Sequence, residues 1–396
     1  MSVSQSRAIA QFLATNPRDN LNVAFIGRSD SQFAGNCKYL YLHMVQNAPE
    51  FKPCYVTLNR NVYRALIERG MPAAQFPEQD AIKALAKARI LIVDDFHYRL
   101  NNIQPFTTGA TIIQLWHGIG FKKIGFLEAD SSLAMTQKKR DYLKNMYSGY
   151  DATISTSPFY TKHLFQTSFG TREIWETGYP RNDVLLRPVD KNDLIGSDAT
   201  LYGKIRSLRK SHKICLYAPT FRDDGKDPFR QQALNLTSLD SFLREKRIIL
   251  YIKMHEFSIQ YGIENMSNIH FMSNNLDVYP LLPLFDCLIT DYSSIYMDYL
   301  LLNKPIIFFP YDRTDYSQRL REFQFDYGSM TPGPKCLTQS DIQVALLDIL
   351  KEEDRFGKER DRLNNLAFQH HDALSSSRVM RHIRAISKAA SWQDIA

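Results

Sequence analysis

The sequence predicts an α/β protein built from two Rossmann-like domains that face each other across a cleft. Short apolar runs alternate with helical patterns over most of the length, and they fall into two successive series. A polar, charged stretch from about Arg187 to Lys210 separates the two. A chain of 396 residues also has material for about two domains at roughly 100–200 residues each.

In the first series Asn22–Gly27, Pro53–Leu58, Ile90–Asp94, Thr111–Trp116, Asp151–Ser155 and Glu173–Glu176 read as strands. The second series runs Lys213–Tyr217, Ile248–Lys253, Ile269–Met272, Phe285–Ile289 and Pro305–Phe309. Thr290-Asp291-Tyr292 turns out of the fourth of these strands. Ser293 and Ser294 stand where they can cap a helix running through Tyr299, Leu301 and Leu302. Residues 373–389 form a basic helix candidate with Val379, Ile383 and Ile386 at helical spacing. Residues 1–186, 187–372 and 373–396 are therefore expected to be a first domain, a second domain and a closing helix that packs back on the first. In open α/β sheets a ligand lies beyond the carboxyl ends of the strands.

Hydrophobic content of 44% and charged content of 23% are ordinary for a globular protein. A net charge of +7 and a pI near 9.0 favour anionic partners: nucleic acid, anionic lipid or a polyanionic product. No nucleic-acid module pattern is present. Cys37, Cys54, Cys215, Cys287 and Cys336 are scattered and lack Cys-x-x-Cys spacing, which reads as reduced core thiols. The first residues lack the apolar core of a signal peptide. No apolar stretch approaches the ~18 residues that span a bilayer. The expected location is the cytoplasm, with room for peripheral contact at the inner membrane face. The basic stretch Phe121–Tyr150 suits such a surface, or is an ordinary solvated helix packing its apolar side inward.

Four places carry candidate chemistry. A helix opening at Ser293-Ser294 would offer unpaired N–H groups to a phosphate, with Asp298 four residues on projecting from the same face. Trp116-His117-Gly118-Ile-Gly120-Phe-Lys122-Lys123 follows a strand of the first series. A histidine there suits a general base in a cleft, beside two lysines that attract an anion; a hydrogen-bonded histidine in a turn is the alternative. Lys253-Met-His255-Glu256 occupies the same kind of place in the second series and can serve phosphate oxygens, or His255 is a surface residue beside Glu256. After the first strand of the second series, Thr220 and Arg222 can contact phosphate. Asp223, Asp224 and Asp227 read as a solvated loop more readily than as a metal cluster. Asp94 and Asp95 read as a strand terminus. Gly-x-Gly-x-x-Gly and Walker-type loops are absent, which counts against dehydrogenase and P-loop chemistry.

Taken in order, these segments resemble the CDP-glycerol glycerophosphotransferase family, the teichoic-acid primases and polymerases and their capsule-polymer relatives. The resemblance rests on Trp116-His117-Gly118 with Lys122-Lys123, Ala218-Pro-Thr220-Phe-Arg222, Lys253-Met-His255, Thr290-Asp291-Tyr-Ser293-Ser294 to Asp298, and Asn303-Lys-Pro-Ile-Ile-Phe with Tyr311-Asp312. His371-Asp372-Ala-Leu-Ser-Ser-Ser377-Arg378 is similar to the family's closing Asp-Gly-x-Ala-Ser-x-Arg segment, with Ala373 in place of the glycine. The match runs from about residue 90 to the C-terminus.

The resemblance implies a GT-B fold in which residues 187–372 hold CDP-glycerol and residues 1–186 present the acceptor. His117 would take the proton of an acceptor hydroxyl, whose oxygen attacks the glycerol-bearing phosphorus while CMP leaves. His255 is the second catalytic expectation. Thr220, Arg222, Lys253, Asp291, Ser293 and Ser294 are expected to hold the pyrophosphate, with Asp298 gripping the ribose. Gly118, Lys122 and Lys123 are expected on the acceptor side. The implied activity is transfer of glycerol 3-phosphate to a hydroxyl of a cell-surface glycan or polyol-phosphate acceptor in teichoic-acid or capsule synthesis. A chain with little beyond two domains points to the priming or linker type. No residue cluster requires a metal, although Mg2+ can assist through the pyrophosphate. The competing expectations are another GT-B nucleotide-sugar glycosyltransferase or epimerase, and a non-catalytic basic module that binds polyanions.

Overall fold

The computed structural model of the chain describes residues 3–28, 32–131, 135–220, 228, 229, 231, 233–254, 266–313 and 322–389. Two parallel sheets organise them. The first has β1 (Asp19–Ile26), β2 (Lys52–Thr57), β3 (Ala73–Gln75), β4 (Ala88–Val93), β5 (Thr111–Gln114), β6 (Ser148–Ser155) and β7 (Gly170–Glu176), in the order β3-β2-β1-β4-β5-β6-β7. The second has β8 (Lys213–Ala218), β9 (Ile248–Ile252), β10 (Ile269–Phe271), β11 (Cys287–Thr290) and β12 (Ile306–Phe308), in the order β10-β9-β8-β11-β12. Strand order reverses between β1 and β4 in one sheet and between β8 and β11 in the other. Ligand crevices in doubly wound sheets open at such reversals.

Both faces of the second sheet are covered, so its strands read as continuous apolar runs. Along β8, Ile214, Leu216 and Ala218 face a core shared with the first sheet. Cys215 and Tyr217 face the opposite way, into a separate cluster under the helices Leu236–Glu245 and Gln339–Leu350. The same alternation recurs along β12 and the residue after it, where Ile306 and Phe308 join the shared core while Ile307 and Phe309 join the other. The larger core therefore runs unbroken from the first sheet to the near face of the second.

Eleven of the strands were expected at or within a few residues of where they lie. β3 was not, because Ala73-Ala-Gln75 contains no apolar run. The strand expected over Thr111–Trp116 stops at Gln114. Trp116 turns out of the sheet with φ of +56°, a left-handed conformation uncommon away from glycine. Between the sheets lie a 3-10 segment, Pro180–Leu185, and the helix Ala199–Leu208.

The last helix, Ser375–Lys388, rests on the Gly35–Asn47 helix and on Pro180–Leu185. Its first turn is held by Asp183, whose two carboxylate oxygens accept the backbone N–H groups of Ser375 (2.8 Å) and Ser376 (2.9 Å). Gly178, at φ +75°, passes so close that an added Cβ would sit 2.7 Å from the Ser375 hydroxyl oxygen. None of the five cysteines is paired. Among the described residues no helix is long and apolar enough to cross a membrane.

Candidate functional site

The chain leaves β5 at Gln114, and the residues that follow are tied down one by one. Asn36, fully buried at the start of the Gly35–Asn47 helix, donates from Nδ2 to the carbonyls of Leu115 (3.3 Å) and Trp116 (2.8 Å). The Trp116 ring packs on Tyr147 and Phe169. His117 then sits half-buried with Nδ1 3.4 Å from the Asp94 carbonyl. That long contact favours a tautomer protonated at Nδ1 and leaves Nε2 to accept a proton. Burial first, and then the positive charges of Arg28 and Arg181, push the His117 pKa down to about 3, with Asp95 acting the other way. The imidazole is therefore neutral with Nε2 unprotonated, and it becomes an effective base only where a bound anion raises its pKa again. Asp94 is buried beneath it, with both carboxylate oxygens 3.0 Å from the Cys37 N–H. Burial raises that carboxyl to about 7.

His117 opens into a cavity of about 490 Å³ between the two sheets. Gly118, Lys122, Lys123, Tyr292 and Ser294 share its walls, together with Asp95 and His97. The histidine expected as base and a serine expected at the donor thus meet in one space. Gly118 makes the approach possible, because a Cβ there would lie 2.9 Å from the Ser294 hydroxyl oxygen. Lys123 is ion-paired with Glu322 at 2.7 Å, so its charge is shared rather than fully offered to an anion. Lys122 keeps its place on the wall while its backbone bridges to Phe323.

Several expectations at the donor side need correction. Ser294 takes the N-cap position of the helix Ile295–Tyr299, but its side chain makes no capping hydrogen bond. The helix is only five residues long before it tightens into the 3-10 turn Leu300–Leu302, so its dipole is small. Ser293 is half-buried beside Ser294. Asp298, expected to grip a ribose, has its Oδ2 taken up by protein partners. It is completely buried, accepting from Arg181 Nη2 (2.6 Å) and from the Tyr279 hydroxyl (2.6 Å). Projection from one helix face proved a poor guide, because that face continues into the domain interface. Asp291 is likewise fully buried, and its Oδ1 accepts from Thr220 N (2.8 Å) and Thr220 Oγ1 (2.6 Å). It ties the ends of β8 and β11 together at the reversal of strand order. Lys253, just past β9, donates from Nζ to the Asn274 carbonyl at 3.0 Å. Thr220, Lys253 and Asp291 are not among the walls of the His117 cavity.

His255, Arg222, Asp223, Asp224 and Asp227 lie outside the described residues. Among the described residues no group of three or more His, Cys, Asp and Glu side chains is placed to hold a metal ion.

Sequence reasoning missed Asn36, Arg181 and Tyr279. Arg181 is 3% exposed and donates from Nη1 to the His117 carbonyl at 2.6 Å while Nη2 grips Asp298. Burial opposes its charge, but Asp298 more than compensates and holds the guanidinium ionised. The available signal was Gly178-Tyr-Pro-Arg181-Asn-Asp183, a polar run directly after a strand end.

Comparison with known proteins adds results of three kinds. The family model described as CDP-glycerol:poly(glycerophosphate) glycerophosphotransferase matches residues 8–385, well beyond the span on which the motifs alone rested. A teichoic acid glycerol-phosphate transferase of Staphylococcus aureus is 30% identical over 283 residues, covering 69% of this chain and 70% of its own. A teichoic acid poly(ribitol-phosphate) polymerase of Bacillus spizizenii is 28% identical and covers 93% of this chain, which spans only 56% of that longer protein. Among solved structures, a variant of the wall teichoic acid polymerase TagF superposes with a TM-score of 0.77 at 23% identity, covering 97% of this chain and 93% of that one. A Staphylococcus aureus MnaA–UDP complex aligns at 0.55 and 13% identity over 91% of this chain and 95% of its own. These superpositions place the fold as GT-B.

Proposed function

Because the chain belongs to the CDP-glycerol:poly(glycerophosphate) glycerophosphotransferase family, we propose that it moves glycerol 3-phosphate from CDP-glycerol to a hydroxyl of an anionic glycan or polyol-phosphate acceptor. The relatives named above carry teichoic acid synthesis in their names, and we assign this chain to the same kind of polymer chemistry. The observation that carries the reading is the shared space of His117 and Ser294, with the unsubstituted backbone of Gly118 between them.

In this reading the acceptor hydroxyl lies near Nε2 of His117. As its oxygen bonds to the glycerol-bearing phosphorus, the proton passes to the imidazole and the P–O bond to CMP breaks, the electron pair leaving with CMP. In-line phosphoryl transfer asks the protein mainly for positioning and for compensation of negative charge. Ser294 supplies a hydroxyl donor on the donor side, and Lys122 and Lys123 place positive charge on the acceptor wall. Thr220, held by Asp291, stands at the crevice where the strand order of the second sheet reverses. Arg222 and His255 belong to the same proposal on the strength of the family motifs. Contact with the inner membrane face is part of the proposal for the acceptor, since basic residues line the helix Gln137–Met146 beside the cavity. Mg2+ bound through the donor pyrophosphate is compatible with this scheme.

The test is incubation with CDP-glycerol, CDP-ribitol and UDP-sugars in the presence of candidate acceptors while CMP or UDP is followed. CMP release from CDP-glycerol is expected. UDP release instead would move the protein to the nucleotide-sugar enzymes. His117→Ala should lower turnover by about 10²–10⁴-fold with the melting temperature retained, and a variant with near-normal turnover would exclude His117 as base.

A further inference from the structure

Arg181 joins three parts of the molecule that are far apart in sequence. Its Nη1 donates to the carbonyl of His117 and its Nη2 to Asp298, each at 2.6 Å. Its own backbone N–H donates to Asn36 Oδ1 at 3.1 Å, and the same Asn36 side chain holds the carbonyl of Trp116. Tyr279 completes the group, its hydroxyl on Asp298 and its ring under the guanidinium at 4.9 Å. Trp116 adopts a left-handed backbone that a tryptophan does not favour by itself. Bonds from outside the loop therefore fix its shape. Asp298 lies one helical turn after Ser294, whose hydroxyl abuts Gly118. The guanidinium thus spans from the base loop to the helix that carries the donor-side serine.

We propose that Arg181 is a positioning residue for the transfer reaction, bridging the His117 loop of the first sheet to the Ser294–Asp298 helix of the second so that base and donor share one register. A planar fork can bond both acceptors at once, whereas an ammonium on a shorter stem cannot reproduce that span. Displacement of a reacting group by about 1 Å can cost on the order of 10²-fold in rate. The inference rests on the reading of His117 as the base.

The experiment follows the His117 imidazole by 13C–1H NMR, its resonance assigned by loss in His117→Ala, in parallel with CMP release and thermal unfolding. R181K is expected to move the His117 resonance and to lower kcat by about tenfold or more, with KM for CDP-glycerol within twofold. D298N, altered only on the opposite sheet's side, is expected to move the same resonance. If R181K fails to fold, R181M/D298L removes both buried charges and is read in the same way. A His117 resonance unmoved in the R181 variants, or kcat within twofold of wild type, overturns the proposal. If the wild-type protein releases no CMP from CDP-glycerol, the donor assignment falls and the resonance alone decides on Arg181.

Discussion

His117 occupies a position where burial and two arginines act in the same direction. Desolvation leads, Arg28 and Arg181 add to it, and the imidazole stays neutral down to a pH of about 3. Its unfolded counterpart titrates near 6.5, so the unfolded chain binds the extra proton between those values. The contribution of this residue to stability consequently falls as pH drops below about 6.5. For activity, the pH profile of kcat/KM reports the free enzyme, and it should show no acid limb near pH 6.5. An anionic donor beside the ring raises its pKa again, so the acid limb of kcat should lie at higher pH than that of kcat/KM. A bend near the ordinary histidine value that persists when Asp94, itself raised to about 7 by burial, is replaced by asparagine would contradict this environment. His117 was legible in the sequence because strand, histidine and glycine are adjacent there. The burial of Asp298 and the part played by Arg181 were not legible for the opposite reason: each finds its partner more than a hundred residues away.

At the scale of elements, the closing helix Ser375–Lys388 illustrates how a distant carboxylate can replace a local cap. No side chain of the helix itself caps its start, yet Asp183 takes two of its first backbone N–H groups. Asp183→Ala should therefore lower stability by about 2 kcal/mol, from the lost cap and two buried donors left unsatisfied. Urea unfolding would measure it, and an unchanged midpoint would show that the helix is held by packing alone. The position of this helix was readable from Val379, Ile383 and Ile386, all fully buried as their spacing suggested. Its cap was not readable, since Asp183 belongs to a segment with no periodic pattern. The same limit applies to the serines of Thr290-Asp291-Tyr-Ser293-Ser294. Local spacing marks a helix start there, but only the three-dimensional arrangement reveals that Ser294 faces Gly118 and makes no capping bond.

Across the whole molecule, a second buried contact locks the sheets together. Lys38, from the Gly35–Asn47 helix, donates to Asp277 Oδ2 (2.7 Å) and to the Asp193 carbonyl (2.6 Å), while the Tyr39 hydroxyl reaches the same carboxylate at 2.7 Å. Lys38→Met should destabilise the protein by about 3–5 kcal/mol, because it strands a buried carboxylate, whereas Lys38→Met with Asp277→Leu should recover most of that loss. Equal melting temperatures for the single and double variants would mean that packing around Lys38 matters more than charge. The alternation of strands and helices made two units visible from sequence, but not the continuity between them. Residues such as Leu216 and Phe308 look like ordinary centres of a domain and in fact face a core common to both sheets. That common core has a consequence for how the protein can be divided. If the gene were cut in the polar stretch between the sheets, each fragment would carry one greasy, unclothed flank into water. Neither half should then be recovered on its own as a well-behaved soluble piece, although the two expressed together should find each other and restore the whole.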